Sequence, residues 1–291
     1  MSTLSPPSAI FVLNKPEGVS SFAALGSLKR TLGTRKVGHA GTLDPFASGV
    51  LVAMSGKLTR IAPLLSGMDK TYTAVFRFGE ETDTLDPEGE LIAEAPLPDE
   101  TAIRSAAANF LGEISQIPPA FSAVKIKGQR AYSQARKGRA VDIPPRTVTV
   151  HEMEILGWTP PDLRVRIRCS KGTYIRSIAR DWGLAVNSRA YCFSLRRDAS
   201  GPFRLSESTG IQQCSADDGI SAPALFKLLN LPVLRVSALT AGSLRHGRPL
   251  KSIPGLPLCN ERRFLLIDPA GAPAAFIENS RGALSYRIVF D

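Results

Sequence analysis

The chain has 291 residues, 43% hydrophobic and 21% charged, with a net charge of +10. That length supports a large core, one big domain with a smaller one beside it. The basic excess suits a polyanionic partner. Several classes are excluded. No apolar run approaches the roughly 18 residues of a membrane span, and the N-terminus has no basic region before its short apolar stretch, so it does not read as a signal peptide. The four cysteines (Cys169, Cys192, Cys214, Cys259) form no CxxC pair, and the three histidines (His39, His151, His246) have no ligand spacing. A zinc ribbon, a disulfide framework and a His-rich metal site are therefore not expected; a soluble protein of a reducing, cytoplasmic compartment is.

In chain order, Ile10 to Leu13 predicts a short buried strand ended by the turn cluster Asn14 to Gly18. Ser20 or Ser21 caps a helix to about Leu32, with Phe22, Leu25 and Leu28 on one face and Gly33 as its stop. Gly38 to Leu51, GHAGTLDPFASGVL, is a Gly-rich turn leading into an apolar strand. Thr71 to Phe78 alternates as a strand, with Tyr72, Ala74, Phe76 and Phe78 on one side. Glu80 to Glu94 is acidic and turn-rich, which predicts a surface excursion. Asp99 caps a helix over Glu100 to Leu111. Pro118 to Arg146 carries seven Lys/Arg against one acid, Asp142, and reads as a protruding arm. Thr147 to Leu156 returns to β-character. Leu163 to Cys169 alternates apolar residues with Arg164, Arg166 and Arg168, predicting one buried and one cationic face. Lys171 to Tyr174 is a turn before a helix from Ile175 to Leu184. Turn and breaker residues over Ser215 to Pro232 mark a domain boundary, and short strands follow at Phe264 to Ile267, Ala275 to Glu278 and Ser285 to Phe290.

The chemistry centres on Asp44. Gly38 and Gly41 permit backbone angles closed to other residues, and Pro45 fixes φ just after the acid. The carboxylate is thus presented on a tight turn beside a core strand, as catalysis at one fixed point requires. A bare Leu-Asp-Pro is ordinarily a loop-capping turn; its surroundings change the reading. Two basic segments with interleaved aromatics, Pro118 to Arg146 and Leu163 to Arg180, are an electrostatic footprint for nucleic acid. Their placement in turns and loops favours irregular or single-stranded RNA over a duplex.

GHAGTLDPFASGVL resembles the catalytic-aspartate motif of the TruB-type tRNA pseudouridine synthases. Four more segments agree in the same order: LNKPEGVSSF (13–22), DKTYTAVFRFGEETDT (69–84), IPPAFSAVKIKGQRAY (117–132) and CSKGTYIRSIARDWG (169–183). The resemblance runs over about residues 10 to 200. It implies an α+β fold: a mixed, mainly antiparallel central sheet with flanking helices in a catalytic domain (residues 1–228) that carries the basic arm (about 118–146). A small β-rich, PUA-like RNA-binding module would follow (residues 229–291). The implied activity is isomerisation of uridine 55 in the T-loop of tRNA, after base flipping, with no cofactor, metal, guide RNA or obligate protein partner. The tRNA would be held by its T-arm and acceptor stem, and a monomer is expected. By the same resemblance, Asp44 is catalytic, Arg176 orients it, and Tyr72 stacks on the flipped base. His39 fills space near the nucleotide, and Tyr174, Leu195 and Arg60 line the pocket. Lys125, Lys127, Arg130, Arg136, Lys137, Arg139 and Arg146 would bind RNA from the arm. One departure, Tyr191-Cys192-Phe193 where an Ala-His-type sequence is common, falls close to Leu195.

Two other readings use the same surfaces. An RNA-binding folding factor would need the basic segments but no acid facing an anionic ligand. A synthase working inside a guide-RNA particle would share the motifs, but this chain lacks obvious extra partner-binding tails.

Overall fold

The computed structural model describes residues 8–122, 143–257, 259 and 261–290, with the backbone of 125–126 and 129–130. Among these, eleven strands join one mixed sheet. Its main path runs Thr209–Gly210, Ala9–Lys15, Ser48–Ser55, Ala190–Ser200, Lys70–Phe78, Asp162–Cys169, Arg146–Thr159 and Gly112–Gln116. Neighbours on the path are antiparallel except at two places: Ala9–Lys15 runs parallel to Thr209–Gly210, and Ser48–Ser55 runs parallel to Ala190–Ser200. The second exception lies in mid-sheet and matters most. Its register sets Arg197 beside Gly49 on one flank, and the next pairing sets Arg197 beside Tyr72 on the other. Three strands thereby meet at one level. Gly49 is required there: its φ is +99°, and a β-carbon would sit 2.3 Å from the Arg197 carbonyl oxygen.

Alternation on the central strands buries Tyr72, Ala74, Phe76, Phe78, Leu163, Val165 and Ile167 on one face. The Ile175–Ala185 helix packs on that face, with Trp182 edge-on to Phe76, stacked on Phe110 and donating its indole N–H to the Ile103 carbonyl. The opposite face carries the arginines, but it is not the free cationic surface that the local sequence predicts. Arg166 faces Glu154, Arg168 binds Glu152 and Asp69, and Arg77 forks onto Asp162. The acids come from neighbouring strands, so a reading along one strand does not see them; of Arg164, Arg166 and Arg168, only Arg164 has no acidic partner among the described residues.

Two local expectations change. In the Ser21–Thr31 helix, capped by Ser20, the inward positions are Ser21, Ala24, Leu25 and Leu28, whereas Phe22 is 75% exposed. Ser21 takes the inward place because its hydroxyl is bonded to the Leu43 amide and carbonyl. The Glu80 to Glu94 stretch is not wholly a surface excursion either, since Thr82, Leu85 and Asp86 are buried.

A second sheet of four strands (Val233–Arg235, Arg263–Ile267, Pro273–Ser280, Ala283–Val289) follows. The Ser215 to Pro232 junction holds a helix, Ala222–Leu228, started by Pro223, whose Ala222, Leu225 and Phe226 are buried. Phe226 meets Phe276 edge-on at 4.7 Å. Both belong to an apolar cluster that also contains Val50 and Val52 of the main sheet and Leu265 and Ile288 of the small one. The two sheets share a core. Phe226→Ala should therefore cost about 3–5 kcal/mol of unfolding free energy in urea titrations, the usual cost of emptying a buried aromatic site.

Candidate active site

The Asp44 loop is built by buried cations and a serine that satisfy its backbone. Ser21 Oγ accepts the Leu43 N–H at 2.8 Å and donates to the Leu43 carbonyl at 2.9 Å. Lys15, fully buried, gives its ammonium hydrogens to the carbonyls of Pro16 (2.8 Å), Val19 (2.6 Å) and Pro45 (3.2 Å). Arg197, 1% exposed, bonds the carbonyls of Val50 (2.6 Å), Gly41 (3.1 Å) and Thr42 (3.5 Å). Inward-facing carbonyls have no water, so a donor must come from the protein. Gly41 has the expected positive φ (+96°); Gly38 does not, and Gly49 does.

Arg176 holds the centre. Its side chain is 3% exposed, and it joins two carboxylates: Nη2 lies 3.0 Å from Asp44 Oδ2, and Nη1 lies 3.0 Å from Asp86 Oδ2. Nη1 also donates to the Thr84 carbonyl at 2.6 Å, and Nη2 to the Phe121 carbonyl at 3.0 Å. Asp86 is itself fixed by the Thr84 hydroxyl (2.6 Å) and the Glu88 N–H (3.1 Å). Leu85, at φ +61°, takes a left-handed backbone that costs a non-glycine residue roughly 1–2 kcal/mol; the turn it makes brings Asp86 inward. Burial raises the Asp86 pKa against the lowering pull of Thr84 and Arg176.

Asp44 and Arg176 open into a cavity of about 260 Å³, whose lining includes Tyr72, Tyr174, Leu195, Lys70, Arg146 and Arg197. Asp44 is the more open partner of the ion pair, its side chain 34% exposed. Burial raises the Tyr72 pKa, so the phenol keeps its proton at neutral pH, and Arg197 lies against it. Tyr174 is positioned by Gln116, whose amide accepts the Tyr174 N–H (2.8 Å) and donates to its carbonyl (3.0 Å).

Of the residues named from sequence, the fold thus brings Asp44, Tyr72, Tyr174, Arg176, Leu195 and Arg146 to one cavity. His39 is outside its lining: it ends the Val37–His39 strand, and burial lowers its pKa. Arg60 is exposed on the Gly56–Ile61 turn and does not reach the cavity. The backbones of Lys125 and Arg130 pair across a short hairpin, while Lys127, Arg136, Lys137 and Arg139 lie outside the described residues. Sequence reasoning missed Asp86, Lys15, Lys70, Arg197 and Gln116. Tyr191, Cys192 and Phe193 are not in the cavity lining: Cys192 is buried behind the Arg176 pair, its N–H on the Leu85 carbonyl at 3.1 Å, and Phe193 lies under the Arg77 guanidinium. No group of His, Cys, Asp and Glu among the described residues is arranged to hold a metal ion.

Residues 29–175 match the model of the TruB family pseudouridylate synthase N-terminal domain. The tRNA pseudouridine synthase B of Thermobifida fusca is 37% identical, over 97% of this chain and 98% of that protein. This chain belongs to the TruB family. Its relatives of the same name from Borreliella burgdorferi and Aromatoleum aromaticum are 45% and 41% identical, over 74% and 83% of this chain and 77% and 80% of theirs. Two solved structures share the TruB fold at low identity: a Cbf5-Nop10-Gar1 complex (TM-score 0.66, 24% identity, 97% of this chain and 83% of that one) and an archaeal box H/ACA sRNP Nop10-Cbf5 complex (0.67, 23%, 97% and 86%).

Two outcomes follow from the buried charges. Asp86→Ala should destabilise the fold by about 3–5 kcal/mol in denaturant titration, because it strips a partner from a buried guanidinium. Burial lowers Lys15 from the ordinary 10.5 to about 8. The unfolded chain therefore binds more protons between those values, and the native state gains stability as pH rises from 8 to 10.5. Lys15→Met lacks that gain, so the stability difference between wild type and variant should move in favour of wild type across this window.

Proposed function

We propose that this protein converts uridine 55 in the T-loop of tRNA into pseudouridine, unaided by a guide RNA, with Asp44 as the catalytic group. The observation that carries the reading is Asp44 itself: one carboxylate oxygen is held on a buried arginine while the group faces a cavity lined by Tyr72 and Tyr174. The substrate class comes from the family relatives, whose names specify tRNA, and the position from the ordered motifs.

The reaction breaks the C1′–N1 bond, joins C1′ to C5, moves the C5 proton off the base and returns a proton to N1. A carboxylate suits each route to this exchange: covalent attack at the sugar, covalent attack at the base, or removal of a sugar proton. Every route needs a lone pair held still, and Oδ2 on Arg176 leaves Oδ1 for that purpose. Arg176 sets a positive charge 3.0 Å from the Asp44 carboxylate beside an anionic substrate. Tyr72, neutral and rigid on its strand, presents a ring on which an extruded base stacks, offsetting part of the cost of unstacking it. Arg146 supplies a cation at the root of the arm.

An RNA-folding factor that performs no chemistry has no use for a carboxylate held on Arg176 and facing the cavity. The test is an unmodified tRNA transcript incubated with the protein alone, with pseudouridine mapped along it. Product at position 55 is expected from wild type. Asp44→Asn should form none while binding tRNA within about threefold of wild type, since it leaves the cationic contacts in place. Product from Asp44→Asn would remove Asp44 from the mechanism, and product only on addition of a guide RNA would favour the particle-bound alternative.

A further inference from the structure

The cavity holds more positive charge than the Asp44–Arg176 pair uses. Its lining includes four cationic side chains, Lys70, Arg146, Arg176 and Arg197, and one acid, Asp44. Arg176 is matched by two carboxylates and Arg197 by three carbonyls. Among the described residues, Lys70 and Arg146 have no anion against them. Lys70 is 7% exposed and donates to the carbonyls of Ser66 (2.7 Å) and Met68 (2.6 Å). Those bonds fix Nζ in place and leave one of its three hydrogens unused. Burial and the nearby Arg197 push its pKa down to about 8, as befits an ammonium with no anion against it. Arg146 lays its guanidinium over the Tyr174 ring, 4.6 Å from the centroid. Its Nε and Nη2 are buried and have no hydrogen-bond partner among the described residues.

Unpaired donors on two cations that line one cavity call for an anionic acceptor. We propose that Lys70 and Arg146 form an anion subsite that takes one phosphodiester of the RNA chain, that bordering the nucleotide delivered to Asp44. The inference rests on the RNA substrate proposed above. A phosphodiester carries full charge before any bond breaks, which suits donors that stand ready in the resting protein. The guanidinium fork matches two of its oxygens, and the ammonium supplies a point charge for one. The uracil oxygens would meet these groups as strong acceptors only while the glycosidic bond is broken.

The subsite is tested by binding, which does not depend on turnover. RNA stem-loops copying the T-arm are made with a neutral methylphosphonate at the phosphate 5′ or 3′ of the target uridine, and titrated against wild type, Arg146→Met and Lys70→Met. Wild type should lose about tenfold in affinity at one of the two positions, the scale of a charge-assisted contact. Each variant should lose a similar factor on the all-phosphate RNA and nothing further on the RNA neutralised at that position. Equal further losses at both positions in the variants would overturn the subsite. So would unchanged affinity with slowed turnover, which would assign the two cations to the uracil oxygens. Thermal melts check the buried Lys70 variant, and should it not fold, Arg146→Met decides alone. If wild type binds the stem-loop but forms no pseudouridine, the functional reading fails while the binding cycle still decides the subsite.

Discussion

One guanidinium organises this molecule. Removing Arg176 from water costs several kcal/mol, as it does for each carboxylate brought inside with it, and the pairing repays that cost only with good geometry and filled hydrogen-bonding capacity. Arg176 donates hydrogen bonds to Thr84, Asp86 and Phe121 and pairs its charge with Asp44 at 3.0 Å. Those partners come from the Asp44 turn, the Glu80 to Glu94 stretch and residue 121, and the arginine from the helix packed on the sheet. Four segments distant in sequence are thus required to converge before the charge is satisfied. The fold that satisfies it is also the one that presents Asp44.

The same logic extends to the loop carrying the acid. A Gly-rich turn has more carbonyls than its own amides can serve, and here they point inward. Arg197 serves three of them and Lys15 one, that of Pro45, from neighbouring strands. Cations used as backbone donors hold a loop more firmly than apolar packing does, because each bond has a direction. The mid-sheet parallel pairing makes this possible, since it sets Arg197 level with Gly49 while the antiparallel pairing on the other flank sets it level with Tyr72.

Much of this was legible in the chain. Asp44 stood in a motif whose glycines and proline announced a rigid turn, and the strands around Tyr72 and Val165 alternated cleanly. What was hidden shares one property: it depends on partners far away in sequence. Asp86 sits in an acidic, turn-rich stretch with nothing local to mark it as buried, and its cation lies ninety residues on. Phe22 looked like core, but the inward slot went to Ser21 for the sake of two hydrogen bonds to Leu43. The arginines of the Asp162–Cys169 strand looked unpaired until neighbouring strands supplied Glu152, Glu154 and Asp69. Periodicity reports which face a residue takes; it does not report what waits on the adjoining strand.

The Phe121 carbonyl and the Asp44 carboxylate both rest on Nη2 of Arg176. Ile117, four residues before Phe121, accepts from Ser177 and Arg180 of the same helix. A guanidinium is flat and stiff, so it cannot follow one of these loads without tilting away from the other. The placement of residues 117–121 and the orientation of the acid are therefore one mechanical coordinate. Splicing a foreign loop between Gln116 and Ser122 would alter the reactive group from outside its pocket, even with every lining side chain intact.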